Sequence, residues 1–109
     1  RNLSEEHRKI VANELRSMED ENEEQASVRA VRVERGGIAL MWASEEGDEA
    51  CLRALLEALE KAGLMQEALK TTNKYGSTAL MRASFYGREG CVQLLLEAML
   101  RADMLSDVK

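Results

Sequence analysis

The stretch that decides the fold is "GSTALMRASFYG" (residues 76–87), because it nearly repeats "GGIALMWASEEG" (residues 36–47). The shared letters stand at one fixed separation of 40 residues, and so do the only two cysteines, Cys51 and Cys91. A phrase that returns at a fixed period of this length indicates two copies of one structural unit.

Each copy predicts a helical hairpin. A short helix, "IALMWAS" or "TALMRAS", stops at Gly47 or Gly87, and a leucine-rich helix follows. Glycine just beyond a helix is a common place for the chain to break direction. Helical spacing predicts the inner face of the second helix in each copy: Cys51, Leu52, Leu55, Leu56 and Leu59, then Cys91, Val92, Leu95, Leu96 and Met99.

The residues before the first copy fall into two segments. "LSEEHRKIVANELRSMED" (residues 3–20) predicts an amphipathic helix with Ser4 as N-cap and His7 beside its apolar stripe. The acidic stretch "EDENEEQAS" predicts a solvated connection. "SVRAVRVERGG" alternates valines with charges and ends in two glycines, which favours an extended, turn-containing arm.

Composition narrows the class of function. The net charge of −5 argues against a nucleic-acid or anionic-membrane partner, since phosphate binding needs a dense basic face. No apolar run approaches a membrane span, and we expect no membrane association. Two cysteines and one histidine make no ligand set, so we expect no metal, no cofactor and no catalytic residues. Reduced thiols favour a cytoplasmic location, and the lack of an initiating Met suggests a piece of a longer chain.

The second copy, "NKYGSTALMRASFYGREGCVQLLLEA" (residues 73–98), resembles an ankyrin repeat. Asn73 and Gly76 bracket the turn, residues 78–80 begin the first helix, Ala83 is the small residue and Gly87 makes the break. The resemblance covers roughly residues 33–62 and 73–102. The first copy matches at Gly36, Ala39, Leu40, Ala43, Gly47, Leu55 and Leu56.

Some positions depart from the family pattern. Ala39 and Ala79 replace its proline, while Met41 and Met81 replace its histidine. Apolar packing must therefore substitute for the usual polar contacts at the helix start. The period also exceeds the family's roughly 33 residues, and the surplus falls after the second helix, which predicts an extended helix or link there.

The resemblance implies an all-α fold, an ankyrin-like α-solenoid of stacked helix–turn–helix repeats with long turn or arm connections. We divide the chain into an N-terminal helix (residues 1–19), an acidic linker and extended arm (20–35), a first repeat with its connection (36–75) and a second repeat (76–109). Since two repeats are few for a stable stack, we expect residues 4–19 to be a degenerate half-repeat that caps it.

Letters that differ between the copies predict a binding surface. In ankyrin-like stacks the matching positions line the concave groove, and their residue types are frequent in binding hot spots. The turn tips would add to it, with Glu34 and Arg35 as weaker candidates, and Trp42 and Arg82 would form a cation–π pair. The alternative is that Trp42 or Phe85 packs against the N-terminal helix or the arm. The predicted partner-binding residues are Trp42, Glu45, Glu46, Arg82, Phe85, Tyr86, Lys74 and Tyr75.

These observations predict a non-catalytic protein–protein interaction module that binds a partner protein in the concave groove. One alternative is an accessory or targeting domain of a larger enzyme, such as a kinase, transferase or ligase. The other is a self-association scaffold that forms a homo-oligomer through the N-terminal helix or an exposed C-terminal repeat face. That face would carry Met99, Leu100, Met104 and Leu105.

Overall fold

The computed structural model describes residues 5–19 and 26–104, with the side chains of 14–19, 26 and 27 left aside. These residues form helices and no strand. In chain order the helices are α1 (Glu5–Glu19), α2 (Ala26–Glu46), α3 (Glu49–Lys61), α4 (Met65–Lys70), α5 (Ala79–Phe85) and α6 (Glu89–Arg101).

The helices pack as a stack of hairpins. The C-terminal half of α2 and α3 form the first hairpin, and α5 and α6 form the second. Helix α2 lies against α5, and α3 lies against α6, so the second hairpin repeats the first one layer further along. Helix α1 packs on α2 and α3 at the opposite end. The all-α, stacked helix–turn–helix architecture predicted from the repeat is confirmed.

The turns form where the repeated glycines and polar residues predict them. Gly47 and Gly87 both adopt a positive φ, 73° and 68°, which a residue without a side chain tolerates best. In α3, the carboxylate of Asp48 caps the helix by accepting a hydrogen bond of 3.1 Å from the Cys51 amide. In α5, the Thr78 hydroxyl accepts a bond of 3.3 Å from the Met81 amide.

Several positions shared by the two copies are buried in both hairpins. Leu55 and its counterpart Leu95 are fully buried, and so are Ala43 and Ala83. The alanines let the backbones of neighbouring helices approach closely, while the leucines fill the space between hairpins. The long connection after α3 contains the short helix α4, which packs against α2 and accounts for the residues beyond the usual period.

The expected extended arm is wrong for the part that the structure describes. Residues 26–35 are the first turns of α2, which continues without interruption through both glycines to Glu46; residues 20–25 lie outside the described part. The guanidinium of Arg29 fixes this half of α2 to the α3–α4 turn by donating 3.1 Å to the Gly63 carbonyl and 2.6 Å to Glu67. Tertiary contacts therefore override the strand-like alternation of the valines.

Gly37 explains why a glycine stands inside this helix. Both Gly36 and Gly37 are buried, and a Cβ added at Gly37 would overlap the side chain of Thr71, at the end of α4. The glycine allows close approach of α4 to α2; it does not mark a turn.

Replacing Gly37 with alanine should therefore destabilise the protein by about 1 kcal/mol, although alanine is the better helix former. The overlap involves the Thr71 Cβ, which cannot move without its backbone. Chemical denaturation measures the change. Adding Thr71→Gly removes the obstructing atoms, so the double variant should recover the loss that Gly37→Ala causes. A gain in stability from Gly37→Ala alone would contradict the close approach.

The two cysteines are free thiols. Cys91 is buried between the hairpins, with its sulfur 3.9 Å from the Ala43 carbonyl oxygen, while Cys51 is half-buried. The pKa of Cys91 is raised to about 11, mainly by burial and then by the nearby carboxylates of Glu49 and Asp48, while Arg88 opposes the rise. Burial also raises the pKa of Cys51. The structural role expected for Cys91 agrees with this position.

The raised pKa of Cys91 predicts a loss of stability at high pH. The folded protein holds the thiol neutral up to about pH 11, whereas an unfolded thiol ionises near 9.0. The stabilisation is complete below pH 9 and is lost as the pH rises towards 11, by on the order of 2 kcal/mol. Denaturation curves from pH 8 to 11 should show a larger decline in the free energy of unfolding for the unsubstituted protein than for Cys91→Ala. The variant keeps the other groups that titrate at alkaline pH, so the difference between the two proteins isolates Cys91. Parallel curves for the two proteins would contradict it.

Candidate protein-binding surface

Four of the predicted site residues form one connected group on the face between α2 and α5. Arg82 donates from Nε to the Glu45 carboxylate at 2.9 Å and from Nη2 to the Tyr86 hydroxyl at 3.1 Å. The same guanidinium lies 5.5 Å from the Phe85 ring centre and 5.1 Å from that of Tyr86. The two rings meet edge to face at 5.1 Å. We call Glu45, Arg82, Phe85 and Tyr86 the aromatic group.

The aromatic group joins the two hairpins while leaving its rings exposed. Glu45 belongs to the first hairpin and Arg82 to the second, and the hydrogen bond from Arg82 to Glu45 raises the pKa of Arg82, which keeps its charge. Phe85 is 75% exposed and Tyr86 is 45% exposed. An ion pair between repeats therefore places the Arg82 guanidinium beside two accessible aromatic rings.

Trp42 does not form the expected cation–π pair with Arg82. Its indole stacks on the His7 ring of α1, with ring centres 4.4 Å apart and planes 13° from parallel. The alternative that Trp42 packs against the N-terminal helix is thus the observed one, whereas Phe85 is exposed. Trp42 also lines an open groove of about 470 Å³ between α1 and α2, beside Ile10 and Ile38. The sequence indicated that His7 lies near the apolar stripe of α1, but it did not indicate that His7 would stack on Trp42.

The remaining site candidates lie at separate places. Lys74 and Tyr75 occupy the tip of the turn before α5, where the ammonium lies 5.3 Å from the centre of the exposed Tyr75 ring. The Asn73 side chain shapes this tip by accepting a bond of 2.8 Å from the Tyr75 amide. Glu46 is half-buried at the end of α2. Glu34 and Arg35, expected at a turn tip, lie instead within α2.

A second exposed surface closes the C-terminal end of the stack. We call this surface the end face. The sequence indicated it only through Leu100 and its neighbours. Met81 is 54% exposed, although its counterpart Met41 is 3% exposed. Met99 and Met104 are half-buried, and Leu105 lies outside the described residues. The end face consists of Met81, Ser84, Phe85, Val92, Leu96 and Leu100.

The site offers contacts rather than reactive groups. Within residues 5–19 and 26–104, no three His, Cys, Asp or Glu side chains come together in a way that could hold a metal ion. In the same part of the chain, none of the helices combines the length and apolar character needed to cross a bilayer. What the aromatic group can supply is apolar area, ring edges and hydrogen bonds.

Comparison with known families agrees with this geometry. The family model described as "Ankyrin repeats (3 copies)" matches residues 6–106. The chain belongs to the ankyrin repeat family. No curated protein and no solved structure matches it. The match begins within α1, so it includes the helix predicted to be a degenerate half-repeat. The family model counts three copies, where the duplicated phrases indicated two repeats and a cap.

Ankyrin repeats are generally protein–protein interaction modules, without chemistry of their own. In this ankyrin protein the rigid frame is supplied by the buried positions that the copies share. The accessible aromatic rings stand at positions where the copies differ.

Proposed function

We propose that this ankyrin protein is a non-catalytic binding module that holds a partner protein on the concave surface around the aromatic group. The observation that carries the proposal is the 75% exposure of Phe85, whose ring lies against the Arg82 guanidinium and the Tyr86 ring. A large exposed ring that is already ordered loses little entropy when it binds. The surface proposed for the partner extends over Trp42, Glu45, Glu46, Arg82, Phe85, Tyr86, Lys74 and Tyr75.

The contacts within the aromatic group favour a partner with an apolar side chain at the centre of its interface. Arg82 already has Glu45 as counter-ion, so a partner does not need to bring an acidic residue to it. Phe85 and Tyr86 present a ring face and a ring edge at right angles, which form two walls of a shallow contact. Trp42 would contribute at the margin through the part of its indole that His7 does not cover.

Site-specific photocrosslinking tests this surface. A photoreactive phenylalanine analogue at position 85 keeps the ring and should capture a discrete protein from cells of the source organism. The same analogue at Gln66, an exposed position on α4, provides the matched control. We expect capture at 85 to disappear with Tyr86→Ala while the circular dichroism spectrum is unchanged. Equal capture at both positions would refute the proposal.

We also propose that the protein works in a reducing compartment, such as the cytoplasm. Its support is that Cys51 and Cys91 are free thiols, one of them within the packed interface between hairpins. Such thiols persist where cells keep glutathione reduced. Imaging of the tagged full-length protein tests the location, and exclusive secretion would contradict it.

A further inference from the structure

The end face repeats, one unit later, a surface that the second hairpin covers on the first. Ser44, Leu52 and Leu56 of the first hairpin are 0%, 0% and 2% exposed, where α5 and α6 pack against α2 and α3. The residues that follow them by 40 are Ser84, Val92 and Leu96. Together with Gly87, Glu89 and Gln93 they line an open groove of about 310 Å³, in which Glu89 and Gln93 are the polar side chains at the rim.

The charges at the edge of this surface differ between the two units. The second hairpin reaches back to the first through Arg82, which pairs with Glu45, and Arg101, which lies 3.4 Å from Glu60. The counterparts of these two acids on the end face are Phe85 and Leu100, which are 75% and 64% exposed. The end face therefore carries apolar side chains at the two positions where the covered surface carries acids.

An apolar outer face is unusual at the end of a repeat stack. Terminal repeats generally carry a polar outer face, because uncovered apolar surface promotes aggregation. The established interface between the two hairpins also specifies what could cover the end face. On the incoming side it uses small residues, Ala79 and Ala83, which are 2% and 0% exposed and let α5 approach α2 closely.

We propose that the end face binds a further helical hairpin of the ankyrin type, stacked as the second hairpin stacks on the first. Such a hairpin carries small residues at the positions of Ala79 and Ala83. It carries apolar residues at the positions of Arg82 and Arg101, since Phe85 and Leu100 offer no counter-ion. Phe85 borders both surfaces: its counterpart Glu45 pairs across the interface yet keeps 31% of its side chain exposed, so a stacked hairpin leaves part of the Phe85 ring open to a partner in the concave groove. The continuity of this surface with the interface between the hairpins distinguishes this occupant from a second copy, whose own Ala79 and Ala83 are already covered.

The proposal is tested by extending the complete chain. A copy of residues 70–104 is appended after Lys109, which keeps the period because Lys109 follows Leu69 by 40 residues. In one version leucine replaces the two arginines that copy Arg82 and Arg101, and in the other they are kept. We expect the midpoint of thermal unfolding to rise by roughly 10 °C with the leucines and by less with the arginines.

Variants of the acceptor separate stacking from general effects of the extension. Leu100→Asp and Met81→Asp change exposed side chains, so each should alter the unextended chain little and remove most of the rise in the extended one. No rise in either version, or a rise that both variants leave intact, would overturn the proposal. Sedimentation of the unextended chain adds a second criterion. A monomer at all concentrations supports the hairpin as occupant, whereas a dimer abolished by Leu100→Asp assigns the face to a second copy.

Discussion

Leu56→Ala should lower the free energy of unfolding by about 3 kcal/mol, whereas Leu96→Ala should lower it by less than about 1 kcal/mol. The two leucines occupy the same position of their hairpins, 40 residues apart. Leu56 is 2% exposed beneath the second hairpin, and Leu96 is 38% exposed on the end face. Truncation at Leu56 leaves a cavity in a packed interface, while truncation at Leu96 removes atoms that water already reaches.

Urea denaturation measures both values, and the pair controls for residue type, helix position and helix propensity. Leu55→Ala and Leu95→Ala provide the reference, because both leucines are fully buried and should cost similar amounts. Equal losses at Leu56 and Leu96 would mean that the end face is covered in solution. The same substitution at Leu96 in the extended chain should become as costly as that at Leu56.

Val11→Asp should destabilise the protein by on the order of 3 kcal/mol, because it places an unpaired carboxylate in the core. Val11 is 2% exposed and, among residues 5–13 of α1, is the one that joins the main apolar cluster. Contacts that also hold α1 in place include the hydrogen bond of 3.1 Å that Arg8 donates to the Asp48 carboxylate and the stacking of His7 on Trp42. Releasing α1 should therefore also shift Trp42 fluorescence to the red.

Ala12→Asp is the matched control for this prediction, because Ala12 is exposed on the same helix. It should change stability by less than about 0.5 kcal/mol. Deleting residues 4–19 should lower the melting temperature as sharply as Val11→Asp, as expected of a capping half-repeat. A melting temperature unchanged by the deletion, or equal effects of the two aspartates, would show that α1 does not cap the stack.

The repeat made most of the fold predictable from the sequence. Two near-identical phrases at a fixed spacing defined the hairpins, and the shared positions Ala43, Ala83, Leu55 and Leu95 are buried in both copies. Met81 and Leu96 are exposed although they share their letters with the buried Met41 and Leu56. The first turns of α2 were not predictable in this way, because alternating valines and paired glycines are local signals for an extended arm. The helix there depends on the hydrogen bonds of Arg29 to Gly63 and Glu67 and on contact with α4, and these partners are distant in sequence.

The candidate site was predictable only in outline. The differences between the copies identified the residues of the aromatic group, but not the partners that Arg82 would choose. Glu45 and Tyr86 compete for the guanidinium with hydrogen bonds that Trp42 cannot offer. The stacking of Trp42 on His7 depends on how α1 crosses α2, and one weak stripe on α1 does not specify that angle.

Because Cys91 is buried between the hairpins, its reaction with a thiol reagent can report how often that interface opens. A thiol reagent can reach this sulfur only when α6 moves away from the Ala43 carbonyl. With a fast reagent in excess, labelling of Cys91 should proceed at the rate at which the interface opens. With a slow reagent, the labelling rate should fall in proportion to the fraction of molecules that are open. A tightly bound partner that spans both repeats should slow the labelling of Cys91. Binding of the partner could then be measured from the labelling rate of a residue that the partner does not contact.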